Sequence, residues 1–122
     1  MLRKKNQTQP LQEEGLKSDT TKSKDNLIPT RFTLGGSEYK VEYVDPKTGK
    51  TVCVFDNIEG KVYIATAFEG RECSKDYMEA SFFHELIHGM FDHIGRTSLS
   101  ADEELVEGLS HMLHQYMKTK SN

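Results

Sequence analysis

The residues best suited to chemistry in this chain are His84 and His88, with Glu85 between them in the run His84-Glu85-Leu86-Ile87-His88. On an α-helix, positions four apart are separated by about 40° around the axis and about 6 Å along it. Two imidazoles placed that way can grip one metal ion from the same face, and Glu85 lies close enough to act on water beside it. H-E-x-x-H is the spacing of two zinc ligands and a general base, the working parts of a metal-dependent peptidase.

A catalytic zinc site takes three protein ligands and leaves one position to water, so a further donor is required. His93 is a poor fit. The metzincin pattern places its third histidine six residues after the second with a glycine between, whereas His93 follows His88 by five and Phe91 stands at the glycine position. His93 also continues the same helix, too far along to reach the same ion, and is expected on its exposed side. The remaining donors sit in the run Asp102-Glu103-Glu104-Leu105-Val106-Glu107. Glu103 and Glu107 share a helix face, while Asp102 and Glu104 suit a solvated helix start, where the dipole favours carboxylates. Either Glu103 or Glu107 can complete the set. His111 and His114 lie roughly 12 and 16 Å beyond Glu103 along such a helix. Both are expected at the surface, with His111 able to bond a ligand imidazole if Glu107 takes the metal.

These residues need elements to hold them. Met78, Phe82, Phe83, Leu86, Ile87, Met90, Phe91 and Ile94 recur at three- and four-residue steps, which predicts one amphipathic helix over residues 76–94. Asp76 with Glu79 resembles a capping box, and Gly95 is a natural stop. A last helix is expected over 101–118, with Leu105, Val106, Leu109, Met112, Leu113 and Tyr116 as its apolar face and Ser100 to Glu103 as its capping box. Upstream, Gly35-Gly36 between residues 31–34 and 37–44 is a two-residue hairpin signal. Residues 51–55 and 61–68 make two further strands, separated by turn-forming clusters at 45–49 and 56–60. On the fourth strand both faces are largely apolar, so alternation does not tell which one meets the core. Strands first and helices second predict an α+β domain, a small antiparallel sheet packed on the motif helix.

The 122 residues allow one domain at most. Residues 1–30 are polar and without period, and are expected to form a disordered tail ahead of a domain at 31–118. Charge is divided: seven basic and four acidic residues up to Arg31 make about +3, and nine basic and fifteen acidic beyond it make about −6. An acidic folded part argues against direct nucleic-acid binding, and the tail is too weakly basic to imply it. No stretch could span a bilayer. The basic start Met1-Leu-Arg-Lys-Lys5 is followed by polar residues where a signal peptide needs an apolar run. With Cys53 and Cys73 its two cysteines, a cytoplasmic protein with free thiols is the expectation.

The run Phe82-Phe-His-Glu-Leu-Ile-His-Gly-Met-Phe91, followed after a short loop by Glu103-Glu-Leu-Val-Glu-Gly-Leu-Ser-His-Met-Leu113, resembles the small phage-type metallopeptidases. These are similar to the ImmA/IrrE group and to minimal gluzincins. In that pattern a glutamate opens the second helix, with a small or aliphatic residue at +3, an apolar one at +6 and a small one at +7; Glu103, Val106, Leu109 and Ser110 fit. The ImmA-like pattern has asparagine at +4, where this chain has Glu107. The resemblance covers roughly residues 34–116, although only the two helical segments are specific. It implies a zincin-like fold, Zn²⁺ held by His84, His88 and Glu103, Glu85 as general base, and Glu107 as the alternative ligand. It also implies a site-specific peptidase acting on a protein or peptide substrate, which would lie extended along an edge strand, taken as residues 61–68. An oxyanion donor is expected among Tyr63, Tyr77 and Tyr116. The competing expectation is a zinc-stabilised interaction module that cleaves nothing.

Overall fold

Gly35 and Gly36 hold φ angles of 59° and 84°, the left-handed pair that a two-residue hairpin turn requires. They join β1 (Arg31–Leu34) to β2 (Ser37–Val44) in antiparallel register, Leu34 opposite Ser37. In this computed structural model, which describes residues 26–45 and 51–121, β3 (Cys53–Asp56) and β4 (Lys61–Ala65) form a second antiparallel pair. The two pairs meet through β2 and β4, which run parallel, so the strand order is β1-β2-β4-β3. The sheet is therefore mixed rather than antiparallel as expected. A strand's own residue pattern does not encode the direction of a partner that is distant in sequence.

This order puts β4 inside the sheet and leaves β3 at an edge. The expectation that residues 61–68 form the edge strand is thereby overturned. The strand also ends early: Thr66 turns its N–H and its hydroxyl onto the Val44 carbonyl oxygen, at 2.8 and 3.2 Å. Beyond it, β5 (Ala67–Phe68) pairs with β6 (Arg71–Glu72) as a separate small ribbon. On β4, Val62 and Ile64 are fully buried, whereas Tyr63 faces away and donates its hydroxyl hydrogen to Glu59. That settles which face meets the core.

Three helices follow: α1 (Lys75–His93), which packs on the sheet, and the short α2 (Thr97–Ser100) and α3 (Glu103–Thr119), which pack on α1. Phe82 and Phe83 of α1 pack with Val62, Ile64, Tyr39 and Cys53 in one core cluster. The helix starts differ from expectation. Ser74 caps α1 by accepting the Tyr77 N–H at 3.1 Å, and Asp102 caps α3 by accepting the Leu105 N–H at 3.1 Å. Neither Asp76 with Glu79 nor Ser100 with Glu103 forms a capping box. Gly95, at φ 76°, closes α1 as expected, donating to the Asp92 carbonyl.

The folded part also begins before Arg31. Ile28 is buried in the main core, and Thr30 accepts a backbone hydrogen bond from Val41. Residues 26–30 thus belong to the domain, and the expectation for residues 1–25 lies outside the described residues, as does the turn at 46–50. Among the described residues no helix is long and apolar enough to cross a membrane.

Candidate metal centre

His84 and His88 lie one turn apart on α1, their ring centres 5.0 Å from each other. The first turn of α3 brings Glu103 to them, its Oε1 lying 3.3 Å from His84 Nε2 and 3.4 Å from His88 Nε2. These three donors form a candidate metal-binding group. The geometry follows from the tight connection: Gly95 reverses the chain, α2 absorbs the next residues, and the Asp102 cap starts α3 opposite the middle of α1.

The other ring nitrogens are tied to oxygen. His84 Nδ1 lies 2.8 Å from Glu107 Oε1, and a carboxylate can only accept, so the imidazole donates there. His88 Nδ1 lies 3.1 Å from Ser100 Oγ, while that hydroxyl gives its single hydrogen to the His88 carbonyl oxygen at 3.5 Å. With each Nδ1 donating in this way, a neutral ring would carry its lone pair on Nε2. In that tautomer the two Nε2 atoms and the Glu103 oxygen would form a set that a cation can bridge. The distances agree with the donor types. An ion bound tetrahedrally at about 2.05 Å separates its ligand atoms by about 3.3 Å, close to the 3.3 and 3.4 Å found here. Two imidazoles and one carboxylate with a position left open make a three-ligand zinc set, so the residues present fit the metal that the motif implies.

Glu107 bridges two histidines: its Oε1 lies 2.8 Å from His84 Nδ1 and its Oε2 3.0 Å from His111 Nε2. Ser100, expected as a cap, instead orients His88. The pattern Ser-x-x-Glu could not distinguish these roles, because Asp102 offers an equally good cap two residues later.

Glu85 lies half-buried between two cavities. One, of about 510 Å³, includes Tyr39, Phe55, His88 and Asp92 in its lining; the other, of about 300 Å³, includes Tyr77, His84, Glu107 and His111. Both also touch the edge strand at Cys53. Burial pushes the Glu85 carboxyl pKa upward, against the pull of His88 and then His84, with Glu103 adding to the rise. The Cys53 thiol, buried and facing the Glu85 charge, is pushed up to about 12 and stays protonated at neutral pH. It is not a ligand.

The remaining candidates fall elsewhere. His93 Nε2 lies 3.3 Å from the Tyr39 hydroxyl, away from the metal group. Of the three tyrosines, Tyr77 lines the smaller cavity beside His84, while Tyr63 is bonded to Glu59 and Tyr116 is largely exposed. His111 is exposed, as expected. His114 is not: it is buried, its Nε2 2.9 Å from Glu79 Oε1 and its ring stacked on Phe83. The sequence carried a signal for this pair, since Phe82 and Phe83 stand three and four residues after Glu79 on the apolar stripe, and His114 follows Ser110 by one turn. Compared with known proteins, the chain matches no family description, no curated protein and no solved structure.

Proposed function

We propose that this chain is a zinc-dependent metallopeptidase of zincin-like build that hydrolyses peptide bonds in an intracellular protein. The supporting observation is the convergence of His84 Nε2, His88 Nε2 and Glu103 Oε1, with both Nδ1 atoms tied back and a half-buried carboxylate alongside. The resemblance of the two helical segments to the ImmA/IrrE group and to minimal gluzincins points the same way.

Zinc held by His84, His88 and Glu103 would supply Lewis acidity, bringing the pKa of water at its open position towards about 7 and polarising a carbonyl. Glu85 accepts a proton from the water that adds to the peptide carbonyl, and returns it to the departing amine nitrogen as the C–N bond breaks. The burial that raises its pKa helps the second transfer, because a carboxyl held partly out of water keeps its proton more readily. Glu107 and Ser100 fix the ligand rings. Tyr77, which lines the smaller cavity, would donate a hydrogen bond to the carbonyl oxygen. The substrate lies extended against the edge strand β3, whose outer side has no strand partner among the described residues.

Metal analysis and a peptide-library digest of purified protein test this reading. Stoichiometric zinc is expected, with hydrolysis that falls about 10²–10⁴-fold in Glu85→Gln while zinc is retained. Zinc without hydrolysis would leave the silent interaction module. Protein that neither holds nor takes up a transition metal would end the enzymatic reading.

A further inference from the structure

The larger cavity beside Glu85 carries information about what the site selects. Glu85, His88 and Asp92 lie on one stripe of α1 at steps of three and four, so Asp92 sits about 6 Å past His88 along the cleft. Val54, Phe55 and Gly89 supply apolar wall. The Tyr39 hydroxyl donates to Asn57 Oδ1 at 2.7 Å, so its oxygen is left to accept from His93 Nε2 at 3.3 Å. Tyr39 therefore offers no free hydrogen to a ligand. Among the described residues no Lys or Arg lines this cavity. The Asp92 carboxylate has no side-chain partner among the described residues, whereas Asp56, Asp76 and Asp102 are each bonded.

A cavity of about 510 Å³ with a mixed lining, which carries the Glu85 and Asp92 carboxylates as well as apolar surface at Phe55 and Gly89, suits a side chain with a methylene stem and a cationic head. The head reaches Asp92 while the stem lies against Phe55 and Val54, so that an extended peptide on β3 is read at one position beside the bond to be broken. We propose that this cavity is a specificity pocket for Lys or Arg flanking the scissile bond, with Asp92 as the residue that selects the charge. The smaller cavity across Glu85 has different chemistry: His84, His111 and Glu107 line it, and Asp92 does not.

The inference rests on the peptidase reading, so its test reads binding as well as cleavage. Extended ten-residue peptides, randomised except for one position fixed as Lys, norleucine or Glu, are titrated onto the zinc-loaded Glu85→Gln protein by fluorescence anisotropy. The Lys set is expected to bind roughly threefold tighter than the norleucine set, with the Glu set weakest. Asp92→Asn should level the Lys and norleucine sets, and Asp92→Lys should invert the order of Lys and Glu; Glu72→Gln, on β6, should change neither. Equal binding of the three sets, no binding of any, or a preference that survives Asp92→Lys would overturn the pocket assignment. Cleavage by the Glu85-bearing protein is scored separately, so a selective pocket without hydrolysis, and hydrolysis without charge preference, are distinct results.

Discussion

Helix α1 is joined to α3 by histidine and carboxylate at two places, and the two junctions behave in opposite ways. Near the start of α1, Glu79 spends both oxygens: one faces His114 Nε2 at 2.9 Å and the other accepts the Leu27 N–H at 3.2 Å. Both side chains are buried, and the ring stacks on Phe83. At the middle of the helix, His84, His88 and Glu103 meet with their Nε2 and Oε1 lone pairs facing one another and the cleft open beside them. The same residue types make a buried pair in one place and a more open group of two imidazoles and one carboxylate in the other. Satisfaction of each polar atom, and not residue type, separates the two.

Substitutions can break this contrast. His88→Ala should have the largest effect: stoichiometric zinc and hydrolysis disappear, and added zinc no longer raises the melting temperature, because the stabilisation by a ligand depends on its binding. The metal-free fold should change little. Glu79→Ala should do the reverse. Removing one member of a buried pair costs about 3–5 kcal/mol, visible as a lower denaturant midpoint, while the folded fraction still binds zinc. If instead Glu79→Ala abolishes zinc binding in folded protein, the two junctions are not independent. Glu107→Gln should weaken zinc affinity about 10–100-fold by loosening His84, measured by competition with a chelator; the exposed neighbour Glu104→Gln should not.

The smallest effect belongs to the exposed pair of Asp76 and Lys118, which closes the same end of the two helices as the buried clamp. Lys118 holds the Asp76 carboxyl below the usual range, and Asp76 raises Lys118. A depressed carboxyl stabilises the fold above its unfolded pKa and loses that contribution as pH falls through the folded value. A raised lysine stabilises below its unfolded pKa and loses it as pH rises through the folded value. Asp76→Asn should therefore lower the melting temperature slightly at neutral pH, with the difference from wild type vanishing in strong acid and strong alkali. A difference that persists in acid would assign the loss to something other than the pair.

Much of the local structure was legible because it is written in neighbouring residues. The Gly35-Gly36 turn, the span of α1 and its end at Gly95, and the final helix all follow from periodicity and backbone freedom. Legibility failed where a residue's partner is remote. Ile28 stands in a polar stretch with no period, yet it fills the core. Glu79 suggested a cap and His114 a surface residue until their shared burial became visible. Ser100 matched a capping motif, while its hydroxyl serves His88 across the turn.

The sequence by itself determined the pair His84 and His88 with Glu85 beside them, because helical geometry converts a four-residue spacing into one face of a cylinder. It left Glu103 and Glu107 open, since both lie on the same side of the next helix. In the tertiary structure it is Glu103 that joins the two imidazoles in the candidate metal group. The turn through Gly95 and α2 sets where α3 starts against α1, which puts Glu103 level with the two Nε2 atoms and Glu107 behind His84. Strand order was decided the same way: the parallel contact between β2 and β4 made β3 the edge beside the cleft. Spacing along the chain specifies local geometry, but which lone pairs meet across two elements depends on how those elements dock.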